Sequence, residues 1–188
     1  MSYSFLRQHL SEYGSFSDEA SEVVQAHFTE RQYRRREIMI RQGERVTTCY
    51  FIVSGLVKLV YTDDSGKDHI VSFAREGWWE SDFAAFFGHT GASMSLITLE
   101  PTKALTLSNT SYRTLCHEVP GFGQFALEKA HRGFIGAQQR ILSLLTTSAK
   151  ERYQRLIQND PQLLQRVSKT QLAAYLGVSR ETLSRLQL

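Results

Sequence analysis

Residues 168–186 read Ser-Lys-Thr-Gln-Leu-Ala-Ala-Tyr-Leu-Gly-Val-Ser-Arg-Glu-Thr-Leu-Ser-Arg-Leu, and this segment predicts two short helices joined by a tight turn. Ser168 can cap the first helix together with Gln171, because the two stand three residues apart as in a capping box. Gly177 can end that helix in the left-handed conformation, and Ser179 can cap the next one. Six apolar residues can meet between the helices: Leu172, Ala173, Leu176, Val178, Leu183 and Leu186. The segment therefore predicts a helix-turn-helix.

The second predicted helix carries polar side chains on its outer side and at its N-terminal end. They are Arg180, Glu181, Thr182, Ser184 and Arg185. Arginine can donate a forked pair of hydrogen bonds to guanine, glutamate can accept one from cytosine, and a helix N-terminus attracts phosphate. Together with Ser168, Ser179 and Lys169, which suits a phosphate contact, they form the predicted DNA-binding set. An αα-corner with a charged exterior is the structural alternative.

The basic residues are concentrated at the same end of the chain, whose formal net charge is +3. Residues 1–120 carry 12 Lys and Arg against 15 Asp and Glu, a net charge of −3. Residues 121–188 carry 10 against 4, a net charge of +6. This asymmetry favours a polyanion as the partner of the C-terminal third, although a solvated basic helix would have the same composition.

The composition is that of an ordinary globular protein. Of the 188 residues, 41% are apolar and 22% are charged, which excludes a disordered, collagenous or disulfide-stapled chain. No segment has the roughly 18 successive apolar residues of a membrane span, and the N-terminus has no signal-peptide core, so we expect a cytoplasmic protein without a membrane partner. Cys49 and Cys116 form no ligand cluster, so no metal site is expected.

Ahead of the helix-turn-helix, apolar residues recur at alternating spacings of three and four. They are Leu127, Ala130, Phe134, Ala137, Ile141 and Leu144. This heptad seam predicts a long helix that pairs with the same helix of a second chain, and these six residues are the candidate dimer interface. Phe122, Ile135, Leu142 and Leu145 form a second apolar stripe, which we expect to cover the helix's own domain. A seam of this length also occurs inside monomers, which is the alternative.

The sequence pattern of the first half of the chain is typical of a small antiparallel β-structure. Its short β-rich runs are punctuated by Gly43, Gly55, Gly66 and Gly77. Regular spacing of this kind is typical of a β-roll or jelly roll. The clearest hairpin joins residues 56–61 to residues 68–73 through a turn in which Gly66 can take a positive φ, and further strands are predicted at 95–99 and 103–108. The predicted fold class is therefore α+β, with an N-terminal β-roll, a long helix and a C-terminal helix-turn-helix.

The helix-turn-helix segment, Gln171–Gly177 followed by Val178–Arg185, closely resembles that of the Crp/Fnr family of bacterial transcription regulators. The order of the predicted parts is also similar. Residues 42–44 (Gln-Gly-Glu), residues 50–55 and the hairpin at Gly66 resemble the family's β-roll sensor, which is of the cyclic-nucleotide-binding type. The resemblance covers nearly the whole chain.

This resemblance implies both a domain organisation and a function. The implied domains are a cyclic-nucleotide-binding-like sensor at 1–120, a dimerisation helix at 121–148 and a helix-turn-helix DNA-binding domain at 149–188. The implied function is that of a transcription regulator, not an enzyme, which acts as a homodimer on an inverted repeat of double-stranded DNA. In such a regulator Arg180, Glu181 and Arg185 would read bases. RNA polymerase is the further partner that the resemblance suggests.

The sensor departs from the family at its nucleotide site. In members that bind cyclic AMP, a Gly-Glu pair holds the ribose, and an Arg followed by Ser or Thr neutralises the cyclic phosphate. The corresponding residues here are Ser81-Asp82 and Ala92-Ser93. Because the phosphate would lack its fixed cationic partner, we predict that cyclic AMP is not the effector, and no cofactor is expected. The candidate ligand pocket consists of Ser81, Asp82, Phe83, Ala92 and Ser93.

Another departure lies beside the helix-turn-helix. Residues 159–166 are too few for the winged hairpin that usually precedes the motif, and the sequence ends at Leu188, one turn after Arg185. We therefore expect fewer phosphate contacts than in other members. Two explanations of this ending stay open: the natural protein has a short tail, or the sequence has been shortened.

Two other classes of function also stay open. A cupin-like jelly-roll enzyme would need two or three histidines and a carboxylate around a metal, but His69 stands alone in the predicted strands and no nucleophile motif occurs. A ligand-binding signalling module with a vestigial helix-turn-helix would differ from a regulator by its failure to bind DNA.

Overall fold

Two four-stranded antiparallel sheets form the first half of the molecule. The structure, a computed structural model, describes residues 1–14 and 16–186, so the chain end at Leu188 lies outside the described residues. The strands are β1 (Phe28–Tyr33), β2 (Ile38–Ile40), β3 (Thr48–Ser54), β4 (Val57–Thr62), β5 (Asp68–Ala74), β6 (Trp79–Glu80), β7 (Ser95–Thr98) and β8 (Thr102–Ser108). Their order is β1-β8-β3-β6 in one sheet and β2-β7-β4-β5 in the other. The predicted β-roll is confirmed.

The predicted hairpin is the one formed by β4 and β5. Gly66 has a φ of +80° in its turn, a conformation that would strain most other residues. Asp63 Oδ1 accepts hydrogen bonds from the amides of Ser65 and Lys67, both at 3.0 Å. The turn is therefore held by its own residues, which is why a short stretch of sequence was enough to predict it.

Helices precede, interrupt and follow the sheets. They are α1 (Ser2–Ser11), α2 (Asp18–Ala26), α3 (Phe83–Gly88), α4 (Asn109–Glu118), α5 (Phe122–Thr146), α6 (Ala149–Asn159), α7 (Pro161–Arg166), α8 (Lys169–Leu176) and α9 (Arg180–Leu186). Within the described ranges, no helix is long and apolar enough to cross a membrane. The main core gathers the sheets, α1, α4 and the start of α5 around Phe51, Phe86, Phe122 and Phe125. The first turns of α5 are thus part of the β-roll.

The C-terminal helices pack directly on the β4–β5 side of the roll. A second apolar cluster joins Ile70 and Phe73 of β5 to Leu163 of α7. The ring of Tyr175 in α8 lies 5.0 Å from that of Phe73, centroid to centroid. The helix-turn-helix is therefore held against the sensor rather than suspended from α5 alone.

The long helix α5 corrects one sequence prediction. Ile135, Leu142 and Leu145, which we expected to cover the helix's own domain, are exposed to 51%, 60% and 78%. The buried residues of α5 are Phe122, Phe125 and Ala126. The prediction is confirmed for Phe122 and wrong for the other three residues of the stripe, because periodicity identifies the apolar positions of a helix but not the point at which the helix leaves its domain.

Candidate nucleic-acid interface and sensor site

Local hydrogen bonds set the two helices of the C-terminal motif. Ser168 Oγ accepts from the Gln171 amide at 3.2 Å, and Gln171 Oε1 accepts from the Ser168 amide at 3.0 Å. Gly177 ends α8 with a φ of +70°. Ser179 Oγ accepts from the Thr182 amide at 3.1 Å and so caps α9. The predicted capping box, glycine stop and second cap are confirmed.

The interior of the motif is apolar. Its buried residues are Leu172, Ala173, Leu176 and Leu183. Val178 packs against them from the turn, and Leu186 is half-buried. Contacts among small and branched apolar side chains thus fix the angle between α8 and α9, as the spacing predicted.

The outer side of α9 is open to solvent. The residues that line a shallow surface groove there are Arg180, Glu181, Ser184 and Arg185, and all are exposed. The pKa of Glu181 is lowered by its own backbone amide at the helix N-terminus and by the Ser179 hydroxyl, so the carboxylate is an ionised acceptor. Of the other predicted DNA-binding residues, Ser168, Lys169 and Ser179 are exposed and Thr182 is half-buried.

Two arginines that the sequence analysis did not single out attach the motif to its neighbours. Arg140 of α5 donates to the carbonyl oxygens of Tyr175 at 2.7 Å and Ile70 at 3.0 Å, and its guanidinium lies 3.8 Å from the centroid of the Tyr175 ring. Arg152 of α6 donates to the Leu176 carbonyl at 3.1 Å. These bonds satisfy carbonyls at the C-terminal end of α8. No sequence signal marks the pairing, because the partners are backbone atoms.

The six candidate dimer residues lie on a solvent-facing side of α5. Leu127, Phe134, Ile141 and Leu144 are exposed to 48%, 64%, 57% and 41%. Ala130 and Ala137 are exposed between them. A row of exposed large apolar side chains is uncommon on a monomer and is typical of an interaction surface.

The candidate ligand residues come together where β6 meets α3, around Asp82, which is 0% exposed. Asp82 Oδ1 accepts from the Ala85 amide at 3.1 Å. Oδ2 accepts from the Ser93 amide at 2.7 Å, the Ser93 hydroxyl at 2.8 Å and the Met94 amide at 3.1 Å. Burial alone would raise the pKa of Asp82, but these hydrogen bonds lower it below its usual value. Asp82 is therefore an internal anion that ties α3 to the start of β7.

The remaining candidate ligand residues divide between the interior and the surface. Ser81 is buried and its Oγ donates to the Thr48 carbonyl at 3.0 Å. Ala92 is buried, whereas Phe83 and Ser93 are exposed. Arg75, a distant alternative for a phosphate partner, is bound elsewhere, with Nη1 at 2.9 Å from Asp160 Oδ1.

The aromatic residues of this region divide between core and surface. Phe86 is buried and Trp79 packs against the core, whereas Trp78, Phe83 and Phe87 are exposed. In the part of the chain that the structure describes, no group of three His, Cys, Asp or Glu side chains could hold a metal ion.

Comparison with known proteins finds a family model and relatives that match the chain. Residues 30–119 match the family model "Cyclic nucleotide-binding domain". The cAMP-activated global transcriptional regulator CRP of Haemophilus influenzae is 22% identical over 165 residues, which cover 82% of this chain and 74% of that protein. The protein of the same name from Escherichia coli O157:H7 is 22% identical over 182 residues, which cover 90% and 86%. These matches support a regulator of the Crp/Fnr family.

Solved structures support the same assignment at the level of the fold. The c-di-GMP responsive global regulator CLP of Xanthomonas campestris superposes on this chain with a TM-score of 0.74 at 18% identity, covering 90% of this chain and 89% of that one. FixK2 from Bradyrhizobium japonicum superposes with a TM-score of 0.72 at 19% identity, covering 85% and 82%. The α+β fold class is confirmed. The relatives are bacterial transcription regulators, so the prediction of a DNA-binding regulator rather than an enzyme is confirmed as well.

Proposed function

We propose that this Crp/Fnr regulator acts as a homodimer on an inverted-repeat DNA site, which α9 reads from the major groove. The observation that carries the proposal is the exposure of Arg180, Glu181 and Arg185 on a helix that is capped by Ser179 and packed through Leu183. Arginine at these places suits guanine and ionised glutamate suits cytosine. Ser168, Lys169, Ser179, Thr182 and Ser184 would contact phosphates or neighbouring base edges.

The dimer is supported by the exposed apolar side of α5. The large side chains of this heptad seam are 41–64% exposed, so each lacks part of the roughly 1.5–3 kcal/mol that its full burial would contribute. The same helix of a second chain offers a matching seam, so twofold pairing buries both at once. We propose the domain limits accordingly, with residues 1–120 as sensor, 121–148 as dimerisation helix and 149–188 as DNA-binding domain.

The effector is proposed to be something other than cyclic AMP. A cyclic phosphate placed among the candidate ligand residues would meet the buried carboxylate of Asp82, and Ala92 offers it no cation. The amides of Ser93 and Met94, which could have bound an anion, already donate to that carboxylate. Like charges at close range in a buried site oppose binding.

One further partner and a cellular location follow from the resemblance to the Crp/Fnr family. RNA polymerase is proposed as the protein partner, since the regulator must act on transcription once it is bound to DNA. The cytoplasm is proposed as its location, because the DNA lies there in bacteria.

Selection of binding sites from random duplex DNA tests the proposal. We expect a symmetric motif whose half-site centres lie about 34 Å apart, one turn of duplex, because a twofold dimer presents its two reading helices to successive major grooves. Recovery of no symmetric motif would contradict the proposal. A protein that binds no DNA at all would instead support the alternative, a signalling module with a vestigial motif.

A further inference from the structure

A polar groove on the surface of the sensor lies between the end of α3 and the first turns of α4. It has a volume of about 470 Å³ and lies at the opposite end of α3 from Asp82 and the candidate ligand residues. Its lining residues are His89, Asn109, Thr110, Arg113, Thr114, His117 and Glu118. Every one of these side chains except Glu118 can donate a hydrogen bond. We call this site the α4 groove.

Hydrogen bonds hold three segments of the chain around the α4 groove. The Asn109 amide donates to the Thr47 carbonyl at 2.9 Å, and Asn109 Nδ2 donates to the Phe86 carbonyl at 2.9 Å. Arg45 pairs with Gly91 in an isolated β-bridge, which fixes the turn that follows α3. The shape of the groove is therefore set by the fold of the sensor.

His89 ends α3 at a position that glycine occupies more easily. Its φ is +56°, in the left-handed region that most residues with a side chain avoid. Nε2 of His89 accepts a hydrogen bond from Arg113 Nη2 at 3.2 Å, because a guanidinium can only donate. The hydrogen of the neutral imidazole is then on Nδ1, which is left as a donor.

Arg113 is an exposed cation without a carboxylate partner among the residues that the structure describes. Thr110 and Thr114 lie on the same face of α4 as Arg113, because three and four residues make one helical turn. In the first turn of α4, the amides of Asn109 and Ser111 are already bonded. The amide of Thr110 has no partner within residues 1–14 and 16–186, so one side of the groove presents a guanidinium, hydroxyls and a free amide.

We propose that the α4 groove binds a small anion through a phosphate or carboxylate group. A guanidinium matches both groups through its planar fork of donors, and amide and hydroxyl donors at a helix N-terminus favour negative charge as well. The inference does not rest on the proposed function, because it requires neither DNA nor a second chain.

A small anion fits the groove better than a polyanion does. The fixed charges of the lining are one cation, Arg113, and one carboxylate, Glu118. Duplex DNA binds mainly through several unneutralised cations, so it would gain little here. Donors that converge on a concave site instead suit a discrete ligand.

The test follows the histidine imidazole signals of the full-length protein by NMR. Inorganic phosphate or citrate is added at constant ionic strength, which is maintained with sodium chloride. His89→Asn assigns the His89 signal by its loss, and asparagine tolerates the left-handed backbone at this position. Arg113→Gln removes the fixed cation, and Lys67→Gln, which removes one exposed charge at the tip of the β4–β5 hairpin, is the matched control. Circular dichroism checks that the variants fold.

We expect the His89 signal to shift with phosphate, citrate or both and to saturate at about millimolar concentration or below. The signal of His69, on the β4–β5 hairpin, should not follow it. Arg113→Gln should weaken the binding by about tenfold to a hundredfold, because a hydrogen bond from a charged group is lost. Lys67→Gln should bind as wild type does. A response to phosphate alone or to citrate alone would support the site and identify the group that it binds.

Several results would overturn the inference. One is a His89 shift that does not saturate, or that His69 shares. Another is binding that Arg113→Gln leaves unchanged, or that Lys67→Gln weakens as much as Arg113→Gln does. A His89 signal that responds to duplex DNA but to neither small anion would assign the groove to nucleic acid and overturn the inference as well.

Discussion

Arg166 joins the helix-turn-helix to the sensor through Glu100, with Nη2 and Nε at 2.7 and 3.0 Å from the two carboxylate oxygens. The same guanidinium donates to both carboxylate oxygens of Glu76, at 3.0 and 3.1 Å. These hydrogen bonds raise the pKa of Arg166 above its usual value. One side chain at the end of α7 therefore bridges two turns of the β-roll and adds to the apolar cluster around Leu163 that holds the DNA-binding motif against the sensor.

Replacement of Arg166 by Ala should loosen this docking. The exposed carboxylate of Glu76 and the half-buried carboxylate of Glu100 would lose their cation, at a cost of roughly 1–3 kcal/mol. We expect faster amide hydrogen exchange in α7 and α8, with exchange in the β3–β8 strands unchanged. Arg155→Ala, which removes an exposed arginine of α6, is the control. Equal exchange in wild type and Arg166→Ala would show that the apolar cluster around Leu163 and Phe73 holds the domains together by itself.

Phe134→Glu should shift the protein towards monomer. In a paired seam the substitution sets two carboxylates opposite each other in a desolvated contact. Sedimentation velocity at tens of micromolar measures the change, and Gln139→Glu, on the other side of α5, should leave the dimer intact. A wild-type protein that is monomeric under these conditions would end the dimer proposal, because an interface of standard size should hold there.

Arg185→Ala should relax the preference for one base position in each half-site. The expected loss of discrimination is on the order of 1–3 kcal/mol at that position. Lys169→Ala, by contrast, should weaken binding to all sequences alike and reduce the salt dependence. Quantitative binding to a panel of single-base variants distinguishes the two patterns. A uniform loss for Arg185→Ala would mean that Arg185 contacts phosphate instead of bases.

Cyclic AMP should not bind at low micromolar concentration. The reason is the buried carboxylate of Asp82, combined with alanine at position 92. Isothermal titration calorimetry is the measurement, and the cAMP-activated Escherichia coli relative serves as the positive control. Saturable low-micromolar binding would mean that another cation, such as Arg75 released from Asp160, neutralises the phosphate.

The stability of the protein should fall as the pH rises from about 4.5 to 7 through the titration of Glu80. Glu80 is 7% exposed, and burial raises its pKa to about 7, although the Ser72 hydroxyl and the Ser81 amide donate to it. In this window the folded state keeps a proton that the unfolded state releases, so the free energy of unfolding decreases as pH rises, by on the order of 3 kcal/mol.

Glu80→Gln should therefore be more stable than wild type at pH 8 and close to it at pH 5, as thermal unfolding at the two pH values would record. The test uses the difference in stability between wild type and Glu80→Gln at each pH, because the titration of His9 makes both proteins more stable as the pH rises. Burial lowers the pKa of His9 to about 4. As the pH falls below 6.5, the unfolded state therefore binds a proton that the folded state does not, and the free energy of unfolding decreases. Glu44→Gln, at an exposed carboxylate, is the control. An equal change of stability with pH in wild type and Glu80→Gln would contradict the assignment.

The sequence by itself was sufficient wherever the interacting residues are close along the chain. Ser168 and Gln171, three residues apart, predicted the start of α8, and Gly66 predicted the β4–β5 turn. Such signals are readable because caps and tight turns are satisfied by their own neighbours, whatever the rest of the molecule does. The repeat of apolar positions in α5 likewise marked a helix, and the motif of α8 and α9 indicated the family.

The tertiary structure alone decided the relations between distant segments. Asp82 bonds to Ser93 across 11 residues, and Arg166 reaches Glu100 across 66. The exposure of Ile135 was also decided by the tertiary structure, because it depends on the residue at which α5 extends beyond the β-roll. No local pattern encodes these pairings, because a carboxylate, a guanidinium or an apolar side chain accepts many partners. The fold selects among them by bringing one within hydrogen-bond or packing distance.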